Sequence, residues 1–550
     1  MPPAEQKRIC FDSYAICCFD REDTKSNSLT RKTAHKRLNI NCFKERLAQF
    51  NGTVVILYHY IIYIIAHKVS ICSLTKNKLI IYTGSQYFIY GLQSLVGFLM
   101  AGKLGPYYLG VYGMVTLILG YLNQFHFGIS NSLNVLLVHY KNDKDVSDNY
   151  IGNSLFITSI ISCLIILLYV GYFFLHISID DKYKVDSYLI WIVIIAISEY
   201  FNSIFTCVLR VRNKLNHISI YKIFYPIIGL FCVIAFSGDR MIYSVVVTRA
   251  LSQFMLFFIA VKENIFPPYD RITISTMVIR DLLSKGIYLF LYNSCFYFII
   301  ISTRTIISHF YSVKEYGLFT FSYTVANAIM MLFSALSFAI FPKMIDKLSS
   351  DNNEELKRVL GSIYHIYVPS IHLLIYLAML LFPLVPVFFP QYAGISVMLN
   401  LIALTTIMQS NSFGYSSMLI AKNREKRSAF ISFTSMSLNV FIALVLVNVM
   451  KLESSYVIIA SLLAFLYMSW AMCKDCLIIL REYSFIESIR RVFSIRLTVP
   501  FILSFAITLV GHPLFFILPL IVFVILNFQD IIRIWDMTKI IVRSPNISDV

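Results

Sequence analysis

The stretch IGNSLFITSIISCLIILLYVGYFFL, residues 151–175, and the stretch FISFTSMSLNVFIALVLVNVM, residues 430–450, decide the fold class. Both are apolar on all sides and long enough to cross the hydrocarbon core of a bilayer. In that core the backbone finds no water, so a chain crosses it only as a helix or as part of a closed barrel. Barrel strands alternate apolar and polar residues with a period of two. These stretches show no such alternation and read as helices.

Composition agrees. Of 550 residues, 58% are hydrophobic and only 14% charged, too little polar surface to cover a soluble core of that size. Apolar runs stand near 78–100, 109–135, 151–176, 188–208, 217–237, 241–261, 286–309, 316–341, 360–384, 395–420, 429–450, 455–473, 497–511 and 513–528. The last two flank Gly511-His512-Pro513 and read as a tight helical hairpin or as one broken helix. The expectation is an all-α polytopic membrane protein of about 14 transmembrane helices.

The formal charge of +17 sits in short loops between the runs. No basic stretch interleaved with aromatics stands on a soluble domain, so nucleic acid is set aside as a partner. If the first span starts inside, the inside loops carry 25 Lys and Arg. The outside loops carry six: Lys103, Lys182, Lys184, Arg240, Lys314 and Lys451. That bias fixes the orientation, and one missed span would scramble it. Both termini are then expected in the cytoplasm. The outside loops are too short to fold as a domain, which argues against a polymerase or ligase of surface polysaccharides.

Residues 1–74 do not fit this pattern. The first 50 hold ten Lys and Arg against six Asp and Glu, and the apolar run Val54–Ala66 is short for a span. This segment is expected to lie outside the membrane architecture, with the natural start at a non-standard codon now read as Val69 or Leu74.

Two strings suggest an internal repeat. Leu104-Gly105-Pro106-Tyr107-Tyr108-Leu109-Gly110-Val111-Tyr112-Gly113 follows the first span. Phe310-Tyr311-Ser312-Val313-Lys314-Glu315-Tyr316-Gly317-Leu318-Phe319 follows the seventh. Both place a glycine, an apolar residue and an aromatic at the mouth of the next helix. Six spans separate them, so the repeat is parallel, with its axis along the membrane normal. The expected division is a six-helix lobe at 75–262, a second at 263–480, and a helix pair with a tail at 481–550.

At this point the sequence resembles a known family. The string from Leu79 to Gln86, then Leu104-Gly105-Pro106 with Gly110-Val111-Tyr112-Gly113, then Gly128-Ile129-Ser130-Asn131-Ser132-Leu133 is similar to the opening of the polysaccharide flippases. These are the O-antigen transporters of the multidrug/oligosaccharidyl-lipid/polysaccharide exporter superfamily. Thr303-Arg304-Thr305-Ile306-Ile307, Tyr316-Gly317-Leu318 and Phe341-Pro342-Lys343 fall where the family has similar strings. The resemblance implies a non-enzymatic flippase of the bacterial inner membrane. Its substrate would be a lipid-linked oligosaccharide on undecaprenyl pyrophosphate, and its surroundings membrane lipids and the polysaccharide polymerase machinery. Family members often carry an acidic residue two positions before the glycine of the second span; here that position is His126, before Gly128.

Ionisable side chains inside spans are costly and point to function. Arg249 lies mid-way in the sixth span, Arg304 in the outer half of the seventh, and Lys222 in the first turns of the fifth. A pyrophosphate headgroup cannot cross hydrocarbon unpaired, and arginine grips phosphate oxygens bidentately. Each cation also has a structural alternative, an inter-helix ion pair or snorkelling to the interface. Glu199 in the fourth span is either a coupling site for a proton or sodium gradient or the neutraliser of an arginine. His126, His365 and His372 are titratable interior groups or hydrogen-bonded ones. Gln409 and Asn411 in the tenth span either bind sugar hydroxyls or hold helices together.

Of the eleven cysteines, Cys473 and Cys476 form a CxxC without a second ligand pair, so no metal site is expected. No nucleotide-binding loop, HExxH or GxSxG is present, and no cofactor is implied. Two other readings stay open: a cation-coupled multidrug exporter of the same superfamily, and a non-transporting membrane scaffold.

Overall fold

A computed structural model describes residues 78–543, apart from 141–142, 176–181, 269–271 and 511–512. The reading of residues 1–74 falls outside the described residues. All regular structure among the described residues is helical. We number the helices α1 (Lys78–Leu122), α2 (Ile129–His139), α3 (Lys144–Phe174), α4 (Asp186–Val211), α5 (Leu215–Ala235), α6 (Gly238–Lys262), α7 (Thr276–Phe310) and α8 (Val313–Ser349). There follow α9 (Asn353–Ser362), a π-helical turn (Ile363–Tyr367), α10 (Val368–Leu381), α11 (Ser396–Asn411), α12 (Phe413–Ala421), α13 (Glu425–Asn448) and α14 (Ile458–Ile479). The chain closes with α15 (Phe485–Val492), α16 (Ile495–Val510), α17 (Ile517–Leu526) and α18 (Phe528–Arg543).

Among the described residues nine helices are long and apolar enough to cross a bilayer, or eleven if each bent pair near the C-terminus is one span. Three more crossings follow from the backbone. The 45-residue α1 is two arms joined at Gly105, whose φ of 68° suits a residue without a Cβ. Pro106 then opens the second arm, where its missing N–H costs nothing. The 37-residue α8 crosses once, and α11 and α12 cross together with a break at Ser412. With these three, the described residues hold fourteen candidate spans. The sequence reading leaves a loop between the first two spans; the structure replaces it with a one-residue corner. The last two spans, α16 and α17, pack on one another as a hairpin.

Hydrogen bonds between spans give the direction of each pairing. Ser85 bonds Ser219 at 2.8 Å and Lys103 reaches the carbonyl of Val233 at 2.8 Å, so the first arm of α1 runs parallel to α5. Arg249 meets Glu199 and Gln253 meets Asn202, so α4 runs parallel to α6. Both pairings recur in the second half. Asn439 bonds the Ile299 carbonyl and Lys426 lies over the Tyr288 ring, so α7 runs parallel to α13. Ser469 bonds the Met408 carbonyl and Cys476 the Tyr415 carbonyl, so the α11–α12 span runs parallel to α14. Spans one and five, and four and six, are thus matched by seven and eleven, and ten and twelve.

The two repeated sequence strings meet in space. A Cβ on Gly317 would lie 1.7 Å from the Pro106 carbonyl oxygen, and one on Gly110 would lie 2.2 Å from that of Val313. Here α8 crosses the corner of α1 backbone to backbone, at the end away from the basic loops. Two of the six lysines and arginines that break the charge bias sit at this end for a local reason. Lys103 donates to the last carbonyls of α5, and Lys182 to those of Ser308 and His309 at the end of α7. Unpaired carbonyls at helix ends attract such cations.

Gly317→Val should lower stability by about 1–3 kcal/mol, because the obstructing atom is backbone and cannot move aside. Gly84→Ala, where a Cβ meets nothing within 4 Å, should not lower it. Unfolding midpoints of the two purified variants in one detergent check this; equal midpoints would contradict it.

Candidate functional site

Beside the α1–α8 crossing, a polar seam runs between the two halves along much of the length of their helices. It is formed by the second span (the second arm of α1, its break and α2) against α7. From the end away from the basic loops, Arg304 reaches the Gly113 carbonyl and Tyr121 meets Thr305 at 2.6 Å. Further in, Tyr297 lies against Gly120, Ser294 donates to Gln124 at 2.8 Å, and Gly286 lies against Ser132. The numbers rise on one side as they fall on the other, so the seam is antiparallel.

Arg304 sits about 9 Å from the C-terminal end of α7, six residues before Phe310. It is buried, at 6% exposure. Its Nη2 donates to the Gly113 carbonyl at 3.0 Å, to the Thr116 hydroxyl at 3.0 Å and to the Tyr316 hydroxyl at 3.2 Å. Its guanidinium lies 5.5 Å from the Tyr323 ring centroid and 6.0 Å from that of Tyr316. None of these partners is a carboxylate, and its buried Nε has no acceptor. A cation held by neutral dipoles and aromatic faces keeps its attraction for an anion.

Tyr323 also walls a cavity of about 200 Å³, lined by Thr303, Asn327, Thr405, Thr406 and Gln409. Behind it, Thr303 bonds Ser461 at 2.7 Å, and the fully buried Asn439 donates to Ser302 at 2.8 Å and Thr303 at 3.1 Å. These hydroxyls, amides and aromatic faces form the kind of surface that takes a sugar ring. Gln409 therefore joins the Arg304 neighbourhood. Asn411 does not: two residues further on a helix it points about 200° away, and it bonds His372 Nε2 at 3.2 Å.

The second cluster surrounds a break in the second span. A 3-10 turn, Asn123–His126, is followed by Phe127 (φ 48°) and Gly128 (φ 71°), both left-handed. The sequence reading runs one helix straight through this point. A span broken inside the bilayer needs side chains to satisfy the freed backbone; the Tyr200 hydroxyl does so for the Leu122 carbonyl at 2.5 Å. Glu199 accepts from Asn123 at 2.5 Å, from Arg249 at 2.8 Å and from Gln253 at 3.2 Å. Gln253 in turn accepts from Asn202 at 2.8 Å and from the Tyr221 hydroxyl. His126 stacks on Tyr200 and meets the Phe290 edge, and its buried Nδ1 has no partner.

Arg249 and Glu199 thus form an ion pair within this network, and His126 stands beside it. Lys222 stands apart, 3.3 Å from Gln86 on the first arm of α1. His365 bonds Asp530 at 2.9 Å. Cys473 and Cys476 are both buried and unbridged. Sequence reading did not single out Asn123, Asn202, Gln253, Asn439 or Ser461. Their signal was available: each is a polar residue inside an apolar run.

Breaking the Glu199–Arg249 pair should cost more than removing it. Glu199→Gln alone should destabilise by about 2–3 kcal/mol, leaving a cation without its counter-charge, and Glu199→Gln with Arg249→Met should recover most of that. A thermal-unfolding double-mutant cycle reads the coupling; strictly additive losses would contradict it.

Residues 75–348 match the profile of the polysaccharide biosynthesis protein family. No curated protein matches the chain by sequence. Solved structures with the same fold include a MATE family multidrug resistance transporter of the MOP superfamily, inward-facing. It is 14% identical, with a TM-score of 0.60, covering 74% of this chain and 100% of its own. The lipid II flippase MurJ, in an inward closed conformation, is 15% identical, with a TM-score of 0.61, covering 84% of this chain and 100% of its own. An outward-facing MATE transporter gives a TM-score of 0.54 at 14% identity, covering 74% of this chain and 97% of its own. Over residues 75–348 the chain matches the polysaccharide biosynthesis protein family, and it is built on the fold that MATE transporters and MurJ share.

Proposed function

We propose that this protein is a flippase moving an undecaprenyl-pyrophosphate-linked oligosaccharide, such as an O-antigen repeat unit, from the cytoplasmic to the periplasmic leaflet. The observation that carries this reading is Arg304: a buried guanidinium on the seam between the halves, with no carboxylate partner among the described residues. A pyrophosphate supplies the acceptors it lacks, and the Gln409 cavity beside it suits a sugar. The family match over residues 75–348 and the fold shared with a lipid II flippase support the same reading.

In this mechanism the lobes at 75–262 and 263–480 rock about the seam, and the helix pair at 481–550 flanks the second. The basic loops face the cytoplasm, as the Lys and Arg bias requires. The close crossing of Gly317 over Pro106 then seals the periplasmic side. Opening that side withdraws Tyr316 and Gly113 from Arg304, and the headgroup takes their place. Arg249 is a further cation for the headgroup once Glu199 is drawn away from it, and Lys222, apart from the seam beside Gln86, is a third. Glu199 is the coupling candidate, because a proton or sodium ion arriving there competes with Arg249 for the carboxylate; His126 at the break is the second candidate.

Arg304→Ala should abolish surface polysaccharide in a strain whose own copy is deleted, with normal protein level in the membrane. Arg304→Lys should restore it only in part, since lysine lacks the bidentate fork. Wild-type polysaccharide with Arg304→Ala would overturn the headgroup role. Raised drug susceptibility of the deletion strain with unchanged polysaccharide would favour a multidrug exporter.

A further inference from the structure

Away from the seam, a cavity of about 660 Å³ opens at the end of the molecule bearing the basic loops. Its walls come from the π-helical turn, α12, α15 and the start of α16. Four cations line it, and three are largely engaged. Lys357 pairs with Glu354 at 2.9 Å and Glu482 at 2.8 Å. Arg491 pairs with Glu482 at 3.0 Å and Glu487 at 2.8 Å. Arg496 pairs through Nη1 with the buried Asp530 and lies 4.5 Å from the Tyr364 ring centroid. Bonded to Lys357 and Arg491, the Glu482 carboxyl is held below its usual range and stays ionised.

Three donors remain unmet. Arg496 Nη2 is buried without an acceptor, and so is the Ser494 hydroxyl. Arg490 is exposed and in no ion pair among the described residues. All three face one cavity, and two guanidiniums with a hydroxyl match the acceptors of a phosphate oxyanion. The π-helical turn in the wall widens the helix there; such bulges accompany functional sites.

The surroundings say where the phosphate comes from. Helix α15 exposes Phe485, Ile486 and Ile489 beside its charged residues and bends 59° into α16, whose Ile495, Val499 and Ile502 are also exposed. Helix α18 leaves α17 at 80° with Ile532 and Trp535 exposed. Short amphipathic helices turned away from the spans lie in the plane of the interface. The cavity therefore stands at headgroup depth, open to lipid.

We propose that this cavity binds the phosphate of an anionic phospholipid headgroup through Arg490, Ser494 and Arg496. The inference rests on the membrane setting and does not depend on the transported substrate.

Native mass spectrometry of the full chain in detergent, titrated with phosphatidylglycerol or phosphatidylcholine, tests it. Wild type should retain phosphatidylglycerol at about tenfold lower concentration than phosphatidylcholine, the scale of one charge-assisted contact. The Arg490→Gln/Ser494→Ala double variant should lose that preference, while Arg481→Gln, outside the cavity, keeps it. An unchanged preference in the double variant, or an equal loss in Arg481→Gln, would overturn the site. Displacement of the lipid by millimolar inorganic phosphate would assign a soluble anion and overturn the lipid reading.

Discussion

The contact on which the rest of the structure depends is the antiparallel seam between the second span and α7. Hydrocarbon offers buried polar groups no water, so each must find its partner inside the protein. Along this seam they do so across the two halves, from Arg304 on the Gly113 carbonyl to Ser294 on Gln124. The halves are therefore joined by polar contacts rather than by a purely apolar face.

The two arginines of the site show how environment divides roles between like residues. Arg249 is matched by Glu199, and both belong to a network that also secures the broken second span. Among the described residues Arg304 is matched only by a carbonyl, hydroxyls and aromatic rings. The first pair is electrically closed and the second residue is not. That difference, more than depth in the membrane, separates a scaffold charge from a candidate ligand-binding one.

Much of this was legible in the sequence for a physical reason. Spans are set by local hydropathy, and orientation by loop charge, so both can be read without tertiary information. The two Gly-apolar-aromatic strings marked the place where α1 and α8 would meet, because only glycine permits so close an approach. Arg304 stood out as an arginine inside an apolar run. What could not be read depends on packing between distant elements. The Glu199–Arg249 pair spans fifty residues and follows from the register of α4 on α6. The break at Asn123–Gly128 carries only Gly128 as a local signal, and its stability comes from Tyr200 and Glu199 on another helix. Gln409 and Asn411 looked like one cluster in sequence but face different sides of their helix.

Transport in purified components tests the central claim most directly. Proteoliposomes holding the full chain and a fluorescent undecaprenyl-pyrophosphate disaccharide can be probed with a membrane-impermeant quencher. The account predicts that the protected inner-leaflet fluorescence becomes accessible only when the protein is present. No movement of this lipid, with transport of a cationic dye by the same vesicles, would contradict it.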